Sequence, residues 1–326
     1  MGFNKKFLDT AYNLIKGCTS PFLFTHAKPD GDAIGAIFSF KMAMNRLKKN
    51  VVAFCSSPLP PLFQFLSHDL QKDLIKDTPD LLVVLDTAKL ELLGEIYEKN
   101  VKLFQKTPIL NIDHHPDNTM FGRVNLVNSK ASCTGEILFD LFKTWDITIT
   151  KNIADALLTS IIVETLSFQL PHTTHHTMEA AAHLMRRGGD LNWLLQQLQK
   201  TNNKDVYNLW GEVLLKTKTT DNDLVAWSYI SIDMLARHGV KISDIYSDGL
   251  INVMSSLRKS SVVVLFKEEE SNKIRVSFRS TDNYNVQKIA TFFGGGGHIN
   301  SAACTIEKSL RKTINKVIHH INNNLL

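Results

Sequence analysis

The sequence predicts an α/β protein in two parts: a parallel-sheet domain with flanking helices, followed by a smaller α/β domain. Three observations predict it. The first half alternates short unbroken apolar runs with helical patterns, as expected of strands buried on both faces of a parallel sheet. From about position 221 the texture changes to strand-like segments separated by charged turns. The 326 residues are also enough for two domains, each with a core of its own.

The opening MGFNKKFLDTAYNLIK reads as an amphipathic helix interrupted by charge, not as a signal peptide. Lys6 stands where a myristoylation motif needs Ser or Thr. PFLFT (21–25) is the first strand, and a helix begins near Asp32 and runs through AIGAIFSFKMAMNRLKK. VVAFC (51–55), LLVVL (81–85) and PILNI (108–112) are further strands, with a proline-rich loop, SSPLPPLF, after the first of them. ADALLTSIIVE (154–164) and HTMEAAAHLMRRGG (176–189) are helices, the glycines of the second forming a C-cap. Residues 190–220 read as helical and polar with a break at KTNNKD, which suits an interdomain connection. LVAWSYISI, SVVVLFKEEE and KIRVSFRS are the strands of the second domain. The expected divisions are 1–190 (metal-binding and catalytic), 191–220 (helical linker) and 221–326 (substrate-binding).

Hydrophobic residues make up 44% and charged residues 21%, values of a globular protein and not of a disordered one. The net charge of +5 permits an anionic ligand without demanding one. Cys18, Cys55, Cys133 and Cys304 have no paired spacing, which suits a reducing cytoplasm better than a disulfide framework or a zinc site. No apolar stretch is long enough to span a membrane. The expected location is cytoplasmic.

The chemistry collects at strand ends. PFLFT runs into His26, followed by Asp30 and Asp32; LLVVL ends on Asp86; PILNI ends on Asp113-His114-His115. Ligands of parallel sheets bind at the carboxyl ends of strands, so three strands deliver imidazoles and carboxylates to one edge. Taken singly, Asp30 and Asp32 read as a turn and helix cap, and Asp86 as a polar residue after a strand. Together they suit a hard or borderline divalent cation: Mn²⁺, Mg²⁺, Fe²⁺ or Zn²⁺. The count exceeds what one ion needs and fits two ions sharing a carboxylate, the arrangement of phosphoester hydrolases.

HAKPDGDAIGA, VVLDTA, NIDHHPDN and, far downstream, FGGGGH resemble, in this order, the signatures of the DHH phosphoesterases that carry a glycine-rich DHH-associated C-terminal domain. Length and order are most similar to the branch of oligoribonucleases that also dephosphorylate 3′-phosphoadenosine 5′-phosphate (pAp). The resemblance implies an active site in the cleft between two domains and two Mn²⁺ ions, with Mg²⁺ or Co²⁺ as substitutes. It implies that His26 and Asp30 ligate one ion, Asp32 and His114 the other, and that Asp86 bridges them. His115 would face the scissile phosphate, with Asp113 behind the ligands orienting a histidine. Asn118 matches an Asn that commonly follows the DHH motif, and Ser132, Thr134 and Glu136 in ASCTGEI match a family segment near the phosphate with less certain roles; of these Asn118, Ser132 and Thr134 are expected to bind substrate.

The sequence departs from that pattern in SIIVETLSF (160–168). Glu164 replaces the last metal-ligating Asp, and Ser160 and Leu166 replace glycines. The extra methylene of Glu164 displaces its carboxylate by roughly 1.5 Å unless the backbone shifts.

In the second domain FFGGGGHIN (292–300) is too glycine-rich for a helix or a strand core. Backbone N–H groups at Gly295, Gly296 and Gly297, with His298, suit an anion, and the resemblance assigns them to substrate. Ala303 stands where the family tends to glycine. Arg279-Ser280 matches a pair that contacts substrate phosphate, for which the planar guanidinium is suited. Phe292 and Phe293 could stack on a base, though core packing is the preferred reading. PHTTHHTM (171–178) reads as a loop and helix start, with Thr173 or Thr174 as cap.

The expected activity is Mn²⁺-dependent hydrolysis of short oligoribonucleotides to mononucleotides, removal of the 3′-phosphate of pAp, or both. The expected partners are short RNA, pAp or dinucleotides, without a membrane and with a homodimer left open. The alternatives are a cyclic or linear dinucleotide phosphodiesterase and a nucleotide-binding protein whose catalysis has decayed. A family pyrophosphatase and a RecJ-type exonuclease fit less well.

Overall fold

The computed structural model describes every residue except 1–2, 67–69, 75–77, 200–202, 221, 243–244, 246, 282–283 and 325–326. The chain divides into two units, Met1–Thr201 and Asn202–Leu326. The KTNNKD break falls partly outside the described residues, and the helical stretch 191–220 is shared between the units.

The first unit runs α1 (Lys5–Gly17), β1 (Pro21–Phe24), α2 (Gly31–Arg46), β2 (Val52–Phe54), β3 (Leu81–Leu85), α3 (Glu95–Lys99), α4 (Val101–Lys106), β4 (Ile109–Asp113), β5 (Val124–Val127), α5 (Thr134–Thr144), α6 (Lys151–Glu164), α7 (His175–Arg186) and α8 (Leu191–Gln199). Its sheet has the order β2-β1-β3-β4-β5, every pair parallel. Strands β1, β3 and β4 are buried at every position because both faces are covered. Leu23, Val83, Leu85, Leu110 and Ile112 face the core formed with α2, α5 and α6. Phe22, Phe24, Leu82, Val84 and Ile109 pack the other way, against Phe54, Ile96 and Phe104. The period-two alternation thus divides one apolar run between two cores. Helix α2, apolar on nearly every side, lies between the sheet and α6 and is buried along most of its length. Thr174 caps α7 through a reciprocal pair of bonds with Thr177.

The second unit contains α9 (Lys204–Leu215), β6 (Lys218–Thr219), β7 (Val225–Ile230), α10 (Ile232–His238), α11 (Ser247–Met254), β8 (Val262–Glu270), β9 (Lys273–Ser280), α12 (Val286–Phe292), β10 (Gly296–His298), β11 (Ser301–Ile306) and α13 (Leu310–Asn324). Its sheet has the order β10-β11-β9-β8-β7-β6 and is antiparallel except for the parallel pair β7–β8, whose crossover holds α10 and α11. One face packs on α12 and α13 through Val264, Phe266, Val276 and Phe278. The other packs on α9, α10 and α11 through Ala226, Ile230, Val263 and Leu265.

Half of the glycine run lies in a strand, although its composition reads as too glycine-rich for a strand core. Gly296 to His298 pair with Ser301 to Ala303 in a tight hairpin. Gly297 has φ +133°, and a Cβ there would stand 2.5 Å from the Ser301 carbonyl oxygen, so the hairpin excludes a side chain at that position. All four cysteines are buried and unpaired. Among the described residues no helix is long and apolar enough to cross a membrane.

Candidate metal centre

Three adjacent strands build the site. Register pairs Phe24 of β1 with Val84 of β3, and Leu85 of β3 with Ile112 of β4. His26 and Asp86 each lie two residues beyond a paired position, and Asp86 and Asp113 each lie one beyond, so all arrive level at the carboxyl edge. Asp86 has φ +52°, a left-handed conformation that Asp tolerates better than most residues, and its N–H is held by the Ile112 carbonyl at 3.0 Å. Asp30 caps α2, its Oδ1 accepting from the N–H groups of Asp32 and Ala33 at 3.0 Å each. This places Asp32 in the first turn of α2, facing the sheet edge.

Three sets of three donors form there: His26, Asp30 and Asp86; Asp32, Asp86 and His114; and Asp86, Asp113 and His115, so that Asp86 belongs to all three. Within each set the ligand atoms lie within 4.8 Å of one another. The Nε2 of His26 is 3.7 Å from Asp86 Oδ2 and 4.0 Å from Asp30 Oδ1. The Nε2 of His114 is 3.4 Å from Asp32 Oδ2 and 3.7 Å from Asp86 Oδ1.

Similarity to known proteins follows the same division of the chain. The DHH family N-terminal domain matches residues 21–161, and the DHHA1 domain matches residues 229–324. The chain belongs to the DHH family. It is 28% identical to the bifunctional oligoribonuclease and PAP phosphatase NrnA of Thermus thermophilus over 298 residues, which is 90% of this chain and 86% of that protein. To the NrnA of Bacillus subtilis it is 26% identical over 283 residues, 85% of this chain and 86% of that one. An exopolyphosphatase-related protein from Bacteroides fragilis has the same fold, with a TM-score of 0.86 at 20% identity over 97% of this chain and 95% of that one.

Burial sets the charges of this DHH centre. Asp32 is only 1% exposed. Burial, followed by the repulsion of Asp86, Glu164 and Asp30, pushes its carboxyl well above the usual range. Asp30 is raised by burial and by Asp86. For Asp86 burial acts upward too, but contact with His26 and the neighbouring His115 and His114 outweigh it and hold the carboxyl below its ordinary value. Against the effect of its own burial, Asp86 and Asp30 raise His26 to about 9. Burial and His115 lower His114 to about 3, leaving its imidazole neutral at neutral pH as a ligand must be. Buried carboxylates crowded in this way need a proton or a cation beside them, so the donor set fits divalent cations.

Asp113 is fully buried and acts behind these groups. Its Oδ1 accepts from His115 Nδ1 at 2.7 Å and from the His114 N–H at 2.8 Å. Its Oδ2 accepts from Asn118 Nδ2 at 2.6 Å. Burial disfavours charge on His115, but Asp113 and Asp86 raise it to about 10. The His115 side chain is 26% exposed against 4% for His114, so His115 is the more accessible imidazole. Asn118 also donates to Asn111 Oδ1 at 2.8 Å and to the Thr87 carbonyl.

The start of α5 grips Asp32. Thr134 donates its N–H to Asp32 Oδ2 at 2.8 Å and its hydroxyl to Asp86 Oδ1 at 3.0 Å. The Gly135 N–H donates to Asp32 Oδ1 at 3.1 Å, and Ser160 Oγ donates to the same oxygen. A Cβ on Gly135 would stand 2.0 Å from Ser160 Oγ, which is why the position is glycine. The positive end of α5 therefore favours a carboxylate at Asp32. Ser132 is buried with its hydroxyl on Glu136 Oε2 at 2.6 Å, and Thr177 meets the same oxygen at 2.7 Å. Sequence reasoning missed Ser160 as a partner of Asp32, because nothing local marks the contact.

Glu164 ends α6 and is absent from the donor sets found among the described residues. It is close enough to raise both Asp32 and His115. Its carbonyl is 3.1 Å from His172 Nε2. Leu166, Ser167 and Phe168 follow at φ +48°, +57° and +68°. The backbone conformation that favours glycine is thus present at Leu166 without the glycine.

In the second unit Arg279, the penultimate residue of β9, donates from Nη1 to the Phe278 carbonyl at 3.0 Å. Ser280 donates its hydroxyl to the Tyr284 carbonyl at 2.6 Å and accepts from Asn300 Nδ2 at 3.1 Å. Gly295 is packed against β11, where a Cβ would stand 2.1 Å from the Ala303 carbonyl oxygen, whereas Gly296 has open space beside its Cα. Phe292 is exposed, contrary to the core packing preferred from sequence, because it ends α12 on the side away from the sheet.

Proposed function

We propose that this chain is an Mn²⁺-dependent hydrolase of phosphoester bonds that cuts short oligoribonucleotides to mononucleotides, removes the 3′-phosphate of pAp, or does both. The observation that carries the reading is the group of three-donor sets joined at Asp86, and the NrnA relatives supply the substrate class. His26, Asp30 and Asp86 would hold one cation and Asp32, Asp86 and His114 the other. Such cations supply positive charge to the phosphoryl oxygens and lower the pKa of water.

The chain's own groups do the rest. Asp113 fixes the His115 ring through Nδ1, so Nε2 is the nitrogen that would meet substrate. Asp113 and Asp86 favour the protonated form of His115, which would bind a phosphate oxygen and protonate a leaving oxygen. Thr134 and Ser160 hold the Asp86 and Asp32 carboxylates in place. Ser132 keeps the loop before α5 closed on Glu136. Arg279, Ser280, Gly295, Gly296, Gly297 and His298 are assigned to a substrate phosphate or terminal nucleotide, and Asn118 to orientation of Asp113.

The position of Glu164 outside these donor sets favours a second reading, a nucleotide-binding protein with decayed catalysis. One experiment separates the two. The purified protein with Mn²⁺ is given a 5′-labelled RNA trimer, pAp and pApA, beside an Asp86→Ala control. Release of mononucleotide or AMP by the wild type alone supports hydrolysis, and the relative rates rank the substrates. Binding without turnover on any of them supports decay.

A further inference from the structure

The outer face of α12 and α13 carries an aromatic stack among cations. Phe292 is 63% exposed, yet its ring lies flat on His320, with centroids 4.0 Å apart and planes inclined by 16°. Phe293 closes the group edge-on, 5.0 Å from Phe292 and 5.3 Å from His320. The Lys316 ammonium stands 5.4 Å from the Phe293 ring centroid. Lys288 lies one turn before Phe292, and Lys312 and Lys316 lie two turns and one turn before His320, so each cation shares the face of its helix with an aromatic ring. All three lysines are exposed. Neither helix sequence, VQKIATF or LRKTINKVIHHINNN, contains a carboxylate. Partial burial, and then His319 and Lys316, hold His320 below its ordinary pKa, so the stacked ring is neutral at neutral pH.

An accessible aromatic face bordered by ammonium groups matches the alternation of planar bases and phosphates in a single strand. We propose that the α12–α13 face binds single-stranded RNA, one base stacking on the Phe292–His320 pair and neighbouring phosphates meeting Lys288, Lys312 and Lys316. Charge complementarity favours this occupant over a second copy of the chain, which would bring the same cations to the face. The proposal rests on the phosphoesterase reading only for the choice of RNA as the polymer. The function served is retention of nucleotides beyond the one being hydrolysed.

The test uses the full-length protein, a fluorescein-labelled 12-mer of oligo(A), and EDTA so that no cleavage occurs. By anisotropy, Phe292→Ala should weaken binding roughly five- to hundredfold, the range covered by stacking one base on one ring. Phe292→Trp should bind like the wild type. The double variant Lys312→Ala/Lys316→Ala should reduce the slope of log Kd against log salt by about 1.4, at about 0.7 per phosphate contact. With Mn²⁺ restored, turnover of pAp should be the same in Phe292→Ala and in the wild type, since pAp has no further nucleotide to stack. Four results would overturn the proposal: a wild type that does not bind the 12-mer, variants that bind it equally well, equal loss of 12-mer binding and pAp turnover, or a wild-type dimer that Phe292→Ala dissociates in sedimentation. If the wild type hydrolyses nothing but binds the 12-mer through Phe292, the hydrolase reading fails and this one stands.

Discussion

Replacing Ser160 by alanine isolates how Asp32 is held. Asp32 Oδ1 accepts from Ser160 Oγ and from the Gly135 N–H at 3.1 Å, while Oδ2 accepts from the Thr134 N–H at 2.8 Å. A buried hydrogen bond to a charged group is worth about 1.5–3 kcal/mol. The Gly135 N–H also points at Ser160 Oγ, 3.0 Å away, and can turn wholly to Asp32 once the hydroxyl is gone, so the lower end applies. That corresponds to about tenfold in affinity for a cation at the set containing Asp32, within the range of about 10–100-fold usual for groups that orient ligands. A titration with Mn²⁺, followed by calorimetry or by the signal of free Mn²⁺ in electron paramagnetic resonance, reads this directly. One class of site should weaken about tenfold, while the class containing His26 and Asp30 keeps its affinity. Ser160→Gly should show the same loss, and relative to Ser160→Ala about 1 kcal/mol of helix destabilisation, which thermal unfolding separates. If Ser160→Ala binds Mn²⁺ at both classes within twofold of the wild type, the hydroxyl does not hold Asp32 and the reasoning is wrong.

Three further predictions follow from the same geometry. His26 is raised to about 9 and so is protonated at neutral pH, whereas a ligand imidazole is neutral. Mn²⁺ uptake should therefore release a proton, and affinity should rise by up to about tenfold per pH unit toward pH 9 and level off above it; calorimetry in buffers of different ionisation enthalpy counts the proton, and a pH-independent affinity would contradict the assignment. Gly35→Ala should destabilise by about 1–3 kcal/mol or more, since the new Cβ would stand 2.4 Å from the Ala156 carbonyl oxygen where α2 meets α6; an unchanged denaturation midpoint would count against so tight a crossing. Leu166→Gly should stabilise by up to about 1 kcal/mol, because the φ of +48° costs Leu about 1–2 kcal/mol and glycine returns about 0.5–1 through chain entropy; a loss of stability would show that packing of the Leu166 side chain dominates.

What the sequence makes visible depends on how many neighbours a segment shares. β1, β3 and β4 are legible because burial on both faces leaves runs with no polar interruption, and the residue that ends each run is conspicuous. β5, VNLV, alternates between buried and half-buried positions at the sheet edge and leaves little trace. The order of the strands is not written locally, yet it is the adjacency of β1, β3 and β4 that turns three polar strand ends into one cluster. β10 hides in a glycine run because its hairpin excludes a side chain at Gly297. Ser160 could be noticed only as a missing glycine, since its partner Asp32 lies 128 residues away.

Apart from Ala303 in the second unit, the expected departures from the family pattern fall together. Ser160, Glu164 and Leu166 all belong to the last turns of α6 or the turn after it, while the residues at the ends of β1, β3 and β4 keep the family's motifs. Ser160 donates to Asp32, whereas Glu164, an acid where the resemblance places another acid, keeps a negative charge near Asp32 and His115. The donor favours the ionised form of Asp32 and the nearby anion disfavours it. Removing the Ser160 hydroxyl therefore reads the donor against a charge that stays in place, and the Ser160 variants test more than a single hydrogen bond.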